Sequence, residues 1–296
     1  MKNNSLPVRV AKALLGVAVA ALFAIPVMAQ DTAYSFQTFI YPGDTFTQTL
    51  GINNAGKIAG YHGATINKGF TLIVPSSFTN ENYPQSAQTQ VIGINNVNGT
   101  GGFYVDKAGV THGFLDNSGK FTTVDFPGTG FNQILGVNDK GQAAGYYADA
   151  NGNDTAYIYA KTGGVFLSFA IPGSVSAQAT GINNAGNTCG FYIDAAGVNH
   201  GWMLAAGTFT VLDYPGGTFT QALGINNKGD VVGFYMDAAG ATHGWTYNVG
   251  NTKKFATLDD PNGIGNTVAN GINDIGEIVG FYVDADGNTD GFQATP

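Results

Sequence analysis

The sequence predicts an all-β protein, a six-bladed β-propeller built from four-stranded antiparallel blades. A phrase close to Gly-Ile-Asn-Asn-x-Gly recurs at spacings of 42 to 47 residues. Repeats of this length with four short strands are typical of propeller blades. The two ends of the chain also complement each other, since one matches a fourth strand and the other a third strand. A ring closed by pairing the N-terminal strand with the last three strands would leave no open sheet edge.

Turn residues divide each repeat into four predicted strands. In the fifth copy, residues 221–225 form a first strand that ends at the turn 226–229, and residues 231–236 form a second. A turn at residues 237–240 leads to a third strand, and the fourth ends before Pro261, which cannot join a central ladder. Asn and Gly favour both turns because they tolerate tight backbone conformations. The copies begin at Gly51, Gly93, Gly136, Gly181, Gly224 and Gly271.

The ends of the chain favour a closed ring over an open stack. Residues 36–43 match a fourth strand, residues 209–216, and residues 290–293 match a third strand. One blade shared by both termini explains both matches, whereas an elongated solenoid would need a cap at each end.

Three phrases of the fourth copy resemble a known family. They read Gly-Ile-Asn-Asn at residues 181–184, Gly-Phe-Tyr-Ile-Asp at residues 190–194 and His-Gly-Trp at residues 200–202. They are similar to the HAF repeats of predicted extracellular bacterial proteins, and the likeness covers nearly all of the chain after its leader. The resemblance implies an extracellular propeller-type repeat protein. It transfers no catalytic residues, because the family carries no established activity.

The N-terminus is typical of a secretory signal peptide over residues 1–29. A basic region precedes an apolar run at residues 14–27, and residues 27–29 form a small-residue cleavage pattern. We expect cleavage before Gln30 and secretion to the periplasm or the medium. An uncleaved membrane anchor is the alternative, but the run is short and contains Pro26. Residues 30–296 are predicted to form a single propeller domain, a monomer without membrane insertion.

Charge argues against two classes of partner. The net charge is −8, and loss of the three signal-peptide cations brings it to −11. Arg9 is the only arginine, so the chain after the leader has none. Nucleic-acid binding needs clustered cations, and an acidic surface is repelled by anionic membranes. We therefore expect neither nucleic acid nor a membrane as partner.

No catalytic residues are predicted. The single cysteine, Cys189, lies in a predicted second strand where other copies carry Ala144, Val232 or Val279, so it is interpreted as a buried small hydrophobe. No nucleophile elbow, zinc-protease motif or phosphate-binding loop occurs. Propeller active sites assemble from separate blades, so the absence of a local motif does not exclude an enzyme.

Histidines recur at the start of predicted third strands, at His112, His200 and His243, beside turns that begin with aspartate. Equivalent positions in different blades lie too far apart to share one metal ion. A repeated structural hydrogen bond between the histidine and the turn is therefore the favoured interpretation. No cofactor is expected, apart from calcium at one of these turns.

Two Asp turns, residues 149–154 and 284–290, resemble short calcium loops because oxygen donors alternate around a glycine. Asp284, Asp286 and Asp290 are the better candidate calcium ligands. Neither loop has the distal glutamate of the twelve-residue motif.

Glutamines stand three residues before the first-strand glycine in five copies. Phe46, Phe131 and Phe219 stand two residues before three of them, and all are placed around one mouth of the central channel. Amides beside aromatic rings suit a neutral, hydroxyl-rich ligand. Alternatively, the amides satisfy backbone groups of the blade connections. The glutamines are Gln48, Gln90, Gln133, Gln178 and Gln221.

Two function classes follow. The first is a secreted binding or interaction propeller that presents inter-blade loops to a neutral glycan or a protein partner. The alternative is an extracellular carbohydrate- or lactone-directed hydrolase or lyase with its site at the channel mouth. Beyond the leader the only glutamates are Glu81 and Glu277, and no two aspartates stand out from the repeat as a catalytic pair. Binding is therefore favoured.

Overall fold

The computed structural model describes residues 34–251 and 254–296, so the predicted signal peptide and its cleavage site lie outside the described residues. Within them the chain forms twenty-four strands. The chain starts with β1 (Ser35–Phe39) and then builds blade 1 from β2 (Thr47–Ile52), β3 (Lys57–His62), β4 (Lys68–Ile73) and β5 (Ser77–Asn80).

Each of the next four blades uses four consecutive strands. Blade 2 contains β6 (Gln88–Ile94), β7 (Thr100–Val105), β8 (Thr111–Asn117) and β9 (Lys120–Val124). Blade 3 contains β10 (Asn132–Val137), β11 (Gln142–Ala148), β12 (Asp154–Ala160) and β13 (Val165–Ser168). Blade 4 contains β14 (Ser174–Ile182), β15 (Thr188–Asp194), β16 (Asn199–Ala205) and β17 (Thr208–Val211). Blade 5 contains β18 (Phe219–Ile225), β19 (Val231–Met236), β20 (Thr242–Tyr247) and β21 (Phe255–Leu258).

Blade 6 closes the ring with strands from both ends of the chain. It contains β22 (Thr267–Ile272), β23 (Ile278–Val283) and β24 (Thr289–Thr295), and β1 adds to β24 as the outermost strand. The pairing is antiparallel, with Phe36 opposite Ala294 and Thr38 opposite Phe292. The predicted six-bladed propeller and its closure by the N-terminal strand are therefore confirmed. Within the described residues no helix has the length and apolar character needed to cross a bilayer.

Glycine of the repeated phrase lets the innermost strands approach one another. A Cβ atom on Gly271 would lie 2.6 Å from the carbonyl oxygen of Leu50 in the next blade and 3.1 Å from the Cα of Gly51. Every other residue would push the two strands apart. The phrase therefore carries glycine for close packing around the axis, and a different glycine of the same repeat makes the turn.

The core lies between blades. In every blade a second-strand glycine pairs with a third-strand aromatic residue, as Gly190 does with Trp202 and Gly233 with Trp245. The six aromatic side chains are fully buried, and they are Phe70, Phe114, Tyr157, Trp202, Trp245 and Phe292. Cys189 is also fully buried, and burial raises the pKa of its thiol to about 12. Its interpretation as a buried hydrophobe is confirmed.

Candidate functional site

The two faces of the propeller carry different turns. The Asn-turn face holds the turns between first and second strands, which begin at Asn53, Asn95, Asn138, Asn183, Asn226 and Asn273. The Asp-turn face holds the blade connections and the turns between second and third strands, five of which begin at Asp106, Asp149, Asp194, Asp237 and Asp284. The first strands run from the Asp-turn face to the Asn-turn face, and each end of the central channel between them is a candidate site.

A closed belt of hydrogen bonds surrounds the channel on the Asn-turn face. The side-chain amide of the first turn asparagine in each blade donates to the backbone carbonyl of its counterpart in the next blade, at 2.9 to 3.2 Å. The last of these bonds, from Asn273 to Asn53, returns to the first blade. The side-chain oxygens accept backbone N–H groups within their own turns, as Asn226 does from Lys228 and Asp230. These side chains are therefore fully used within the ring.

A second ring lies one residue further along each turn. Its members are Asn54, Asn96, Asp139, Asn184, Asn227 and Asp274, and the backbone N–H of each donates to the side-chain oxygen of the next at 2.7 to 2.9 Å. We call the two rings together the Asn belt.

Two carboxylates on opposite sides of the Asn belt join their neighbours. Asp139 accepts side-chain amides of Asn96 and Asn184, and Asp274 accepts those of Asn54 and Asn227. Burial acts to raise the pKa of Asp139, but the hydrogen bonds from Asn184 and Asn96 outweigh it and lower the pKa. Both carboxylates are therefore held ionised by the belt.

The Asn belt forms the rim of a small cavity at this mouth. Its volume is about 60 Å³, enough for a few water molecules. A ring of aliphatic side chains lines it below the belt, namely Ile52, Ile94, Val137, Ile182, Ile225 and Ile272. The polar groups of the rim already bind one another. We therefore assign this mouth the structural role of joining neighbouring blades into a closed ring.

The predicted glutamines lie at the opposite mouth, on the Asp-turn face. Three of them reach a residue at, or immediately before, the start of the third strand of the preceding blade. Gln90 donates to Asn67 at 2.7 Å, Gln178 to Asp154 at 2.7 Å and Gln221 to Asn199 at 3.1 Å. These bonds fix the side-chain NH₂ groups at three blade junctions. For these NH₂ groups the structure agrees with the alternative prediction, in which the glutamines hold the blades together.

The other two glutamines are buried. Gln48 and Gln133 are 6% and 5% exposed, and Gln133 accepts a hydrogen bond from the hydroxyl of Tyr146 at 2.8 Å. A ligand at this mouth would therefore meet the glutamines of blades 2, 4 and 5 more readily than those of blades 1 and 3.

The predicted phenylalanines form aromatic pairs in alternate blades of this mouth. Phe46 lies 5.8 Å from Tyr61, Phe131 lies 5.6 Å from Tyr146 and Phe219 lies 5.5 Å from Phe234. All three phenylalanines are half-buried. The equivalent positions in blades 2, 4 and 6 carry polar residues, which are Gln88, Ser176 and Asn266. We call this ring of aromatic pairs, polar residues and glutamines the Gln mouth.

Each recurring histidine lies between two aspartates. His243 contacts Asp259 through Nδ1 at 2.8 Å and Asp237 through Nε2 at 3.6 Å. His200 contacts Asp213 and Asp194 at 2.8 and 3.4 Å in the same way. The contact with the turn aspartate, which the sequence predicted, is thus the longer of the two contacts that each histidine makes.

The sequence did not predict the shorter contact, which is made by an aspartate that follows the fourth strand by one or two residues. These residues are Asp125, Asp213 and Asp259. The signal was their shared position just before the Pro-containing blade connection. The hydrogen bond to Asp259 raises the pKa of His243. Burial acts to lower the pKa of His200, but the hydrogen bond and charge of Asp213 outweigh it, so this pKa is raised too.

The candidate calcium loop is shaped by its own hydrogen bonds. One carboxylate oxygen of Asp284 accepts the backbone N–H groups of Asp286 and Asn288 at 2.9 and 2.8 Å, and Asp194 makes the same turn with Ala196 and Val198. Asp290 is 6% exposed, and burial, followed by the charge of Asp284, raises its pKa. Among the described residues, no group of three or more His, Cys, Asp or Glu side chains converges to hold a metal ion. Calcium binding at this loop stays a prediction.

Comparison with known proteins supports the fold. No protein-family model and no curated protein matches the chain. Virginiamycin B lyase from Staphylococcus aureus has a similar structure, with 12% identity, a TM-score of 0.51, and 89% of this chain and 100% of that chain covered.

Two further structures are also similar. A fungal lectin from Aleuria aurantia, described as a six-bladed propeller with a novel mode of fucose recognition, gives 10% identity and a TM-score of 0.52, covering 83% of this chain and 90% of the lectin. TolB from Acinetobacter baumannii gives 11% identity and 0.56, covering 81% of this chain and 63% of TolB. At these identities the likeness shows the fold and nothing beyond it.

Proposed function

We propose that this protein is a secreted binding propeller of the HAF-repeat type and that its Gln mouth recognises a neutral glycan. The observation that carries the proposal is the alternation of half-buried phenylalanines with polar side chains around one end of the central channel.

The chemistry of the Gln mouth suits a sugar. The apolar face of a pyranose packs on aromatic rings, while its hydroxyls exchange hydrogen bonds with amides and carboxylates. Gln90, Gln178 and Gln221 are already fixed by their contacts with the preceding blade, so little side-chain entropy is lost on binding. The net negative charge favours neutral over anionic glycans. The fucose-binding lectin shows that a similar propeller can serve such a role.

A glycan array run on the purified protein tests the proposal. We expect retention of one or more neutral glycans, and a loss of roughly tenfold or more in affinity for Phe131→Ala and Phe219→Ala, because central aromatic contacts commonly contribute more than 1 kcal/mol. Ile275→Ser is the matched control, since Ile275 is 62% exposed on the opposite face. Retention that survives both phenylalanine variants, or no retention at all, would contradict the proposal.

An activity screen on the same sample separates the alternatives. Turnover of a carbohydrate or lactone without detectable retention would favour the hydrolase or lyase. Retention of a protein, sensitive to the same phenylalanine variants and without any glycan signal, would favour a protein partner at the Gln mouth.

A further inference from the structure

The junction between blades 1 and 2 breaks the repeat with two carboxyl groups beside a threonine. Glu81 follows β5, Thr100 begins β7 and Asp116 lies near the end of β8. At the corresponding junction between blades 4 and 5 the same positions hold Leu212, Val231 and Tyr247, which pack in one apolar cluster.

The position of Glu81 is apolar in the other five blades. Its backbone N–H bonds to the carbonyl of Gly69, as that of Leu212 bonds to Gly201. The equivalent residues are Phe39, Val124, Phe169, Leu212 and Leu258. Asp116 likewise replaces Leu72, Tyr159, Leu204, Tyr247 and Ala294. Two carboxyl groups therefore occupy core positions at a single junction.

The three polar side chains face one another. Thr100 and Asp116 are cross-strand partners, so their side chains leave the sheet on the same side. The hydroxyl of Thr100 donates to a carboxyl oxygen of Glu81, which comes from blade 1. Burial raises the pKa of Glu81, and the charge of Asp116 raises it further. The two carboxyl groups therefore interact electrostatically across the junction.

Asp116 has an unused oxygen inside this junction. Its side chain is buried, with the residue 7% exposed. One carboxyl oxygen accepts the backbone N–H of Gly119 at 3.0 Å, while the other is buried and has no hydrogen-bond partner among the described residues. A buried carboxylate oxygen without a partner is costly, and a second carboxyl group beside it increases the cost. The charge of Lys57 acts to lower the pKa of Glu81, but one positive charge can compensate only one of the two negative charges.

We infer that the junction of blades 1 and 2 binds a divalent cation of the calcium type through the carboxylates of Glu81 and Asp116 and the hydroxyl of Thr100. All three donors are oxygen, which selects Ca²⁺ or Mg²⁺ over zinc or copper. Glu81 is half-buried, so the junction is reachable from solvent. With two carboxylates and water completing the shell, the dissociation constant falls at roughly 10⁻⁴ to 10⁻³ M, as in extracellular calcium modules. The cation uses the unpartnered oxygen and holds two neighbouring blades together.

Thermal unfolding in calcium chloride, titrated to 10 mM, against the same buffer with chelator tests the inference. We expect calcium to raise the Tm by roughly 3 °C once its concentration is about ten times the dissociation constant. Glu81→Gln and Asp116→Asn, which keep side-chain size, should lose this rise. The triple variant Glu81→Leu, Thr100→Val and Asp116→Tyr copies the apolar junction of blades 4 and 5. Its Tm should equal or exceed that of the wild type in chelator, and it should not change when calcium is added.

Asp286→Asn separates this junction from the predicted calcium loop at residues 284–290. The calcium-dependent rise should persist in this variant. A wild-type Tm that responds to neither calcium nor magnesium would overturn the inference. So would a rise that survives Glu81→Gln, or one that Asp286→Asn abolishes, because the cation would then lie in the loop.

Discussion

Asp139 and Asp274 stand where the other four blades place an asparagine, and each carboxylate accepts the side-chain amides on both sides. An asparagine at either position would offer only one acceptor oxygen and would turn an NH₂ group toward a neighbouring NH₂ group. We therefore expect Asp139→Asn to lower the free energy of unfolding by about 1 kcal/mol, the typical contribution of one net hydrogen bond. Urea titration measures it, with the exposed Asp286→Asn as control. Equal stability of the two variants would show that the carboxylate adds nothing to the belt.

His200 and His243 should titrate above the ordinary histidine range, because the pKa of each is raised. The pKa of His243 is raised by its hydrogen bond to Asp259 and by the nearby charges. A raised folded-state pKa stabilises the fold below the unfolded value of about 6.5, and the contribution disappears as the pH rises through the folded value. The stability difference between wild type and His243→Gln should therefore be larger at pH 6 than at pH 8.5. An imidazole NMR midpoint at or below 6.5 would contradict this.

At the scale of strands, the third-strand aromatic residue carries the packing between blades. Trp202 is fully buried against Gly190, while three other blades fill the same position with phenylalanine. We expect Trp202→Phe to be tolerated with a small loss, whereas Trp202→Ala should cost about 3–5 kcal/mol because it leaves a cavity. Denaturant unfolding of both variants provides the measurement. A cost for Trp202→Phe as large as that for Trp202→Ala would argue against interchangeable blades.

Strands and turns could be predicted from the sequence because their signals are local. Gly229 and Gly240, for example, adopt φ values of 90° and 84° at the two predicted turns of blade 5. The partners of side chains were harder to predict. Asp259 is sixteen residues from His243 in the sequence, and Asn273 is 220 residues from its partner Asn53. The role of Glu81 could not be predicted, because it depends on the apolar residues at equivalent positions of the other blades, and the fourth strand of the first repeat diverges in sequence from its counterparts.

At the scale of the whole molecule, β1 completes the sheet that would otherwise end at β24. Phe39 of β1 is 2% exposed and belongs to the core between blades 6 and 1. A chain that begins at residue 41 should lose this packing and expose the β24 edge, with a Tm lower by roughly 10 °C and a tendency to self-associate. Light scattering and thermal unfolding, with a chain beginning at residue 34 as the control, measure both effects. A monomer of unchanged Tm would show that closure is dispensable.

The Asn belt also limits how such a ring can evolve. Around the second ring of the belt the order Asn, Asn, Asp occurs twice, and each aspartate accepts the side-chain amide of one asparagine on either side. A repeat gained or lost by unequal recombination would leave five or seven members, which cannot be divided into whole groups of three. One amide or one carboxylate would then lack its partner. The hydrogen bonds of the belt thus favour six blades, and a change in the number of blades would require compensating substitutions at two distant turns.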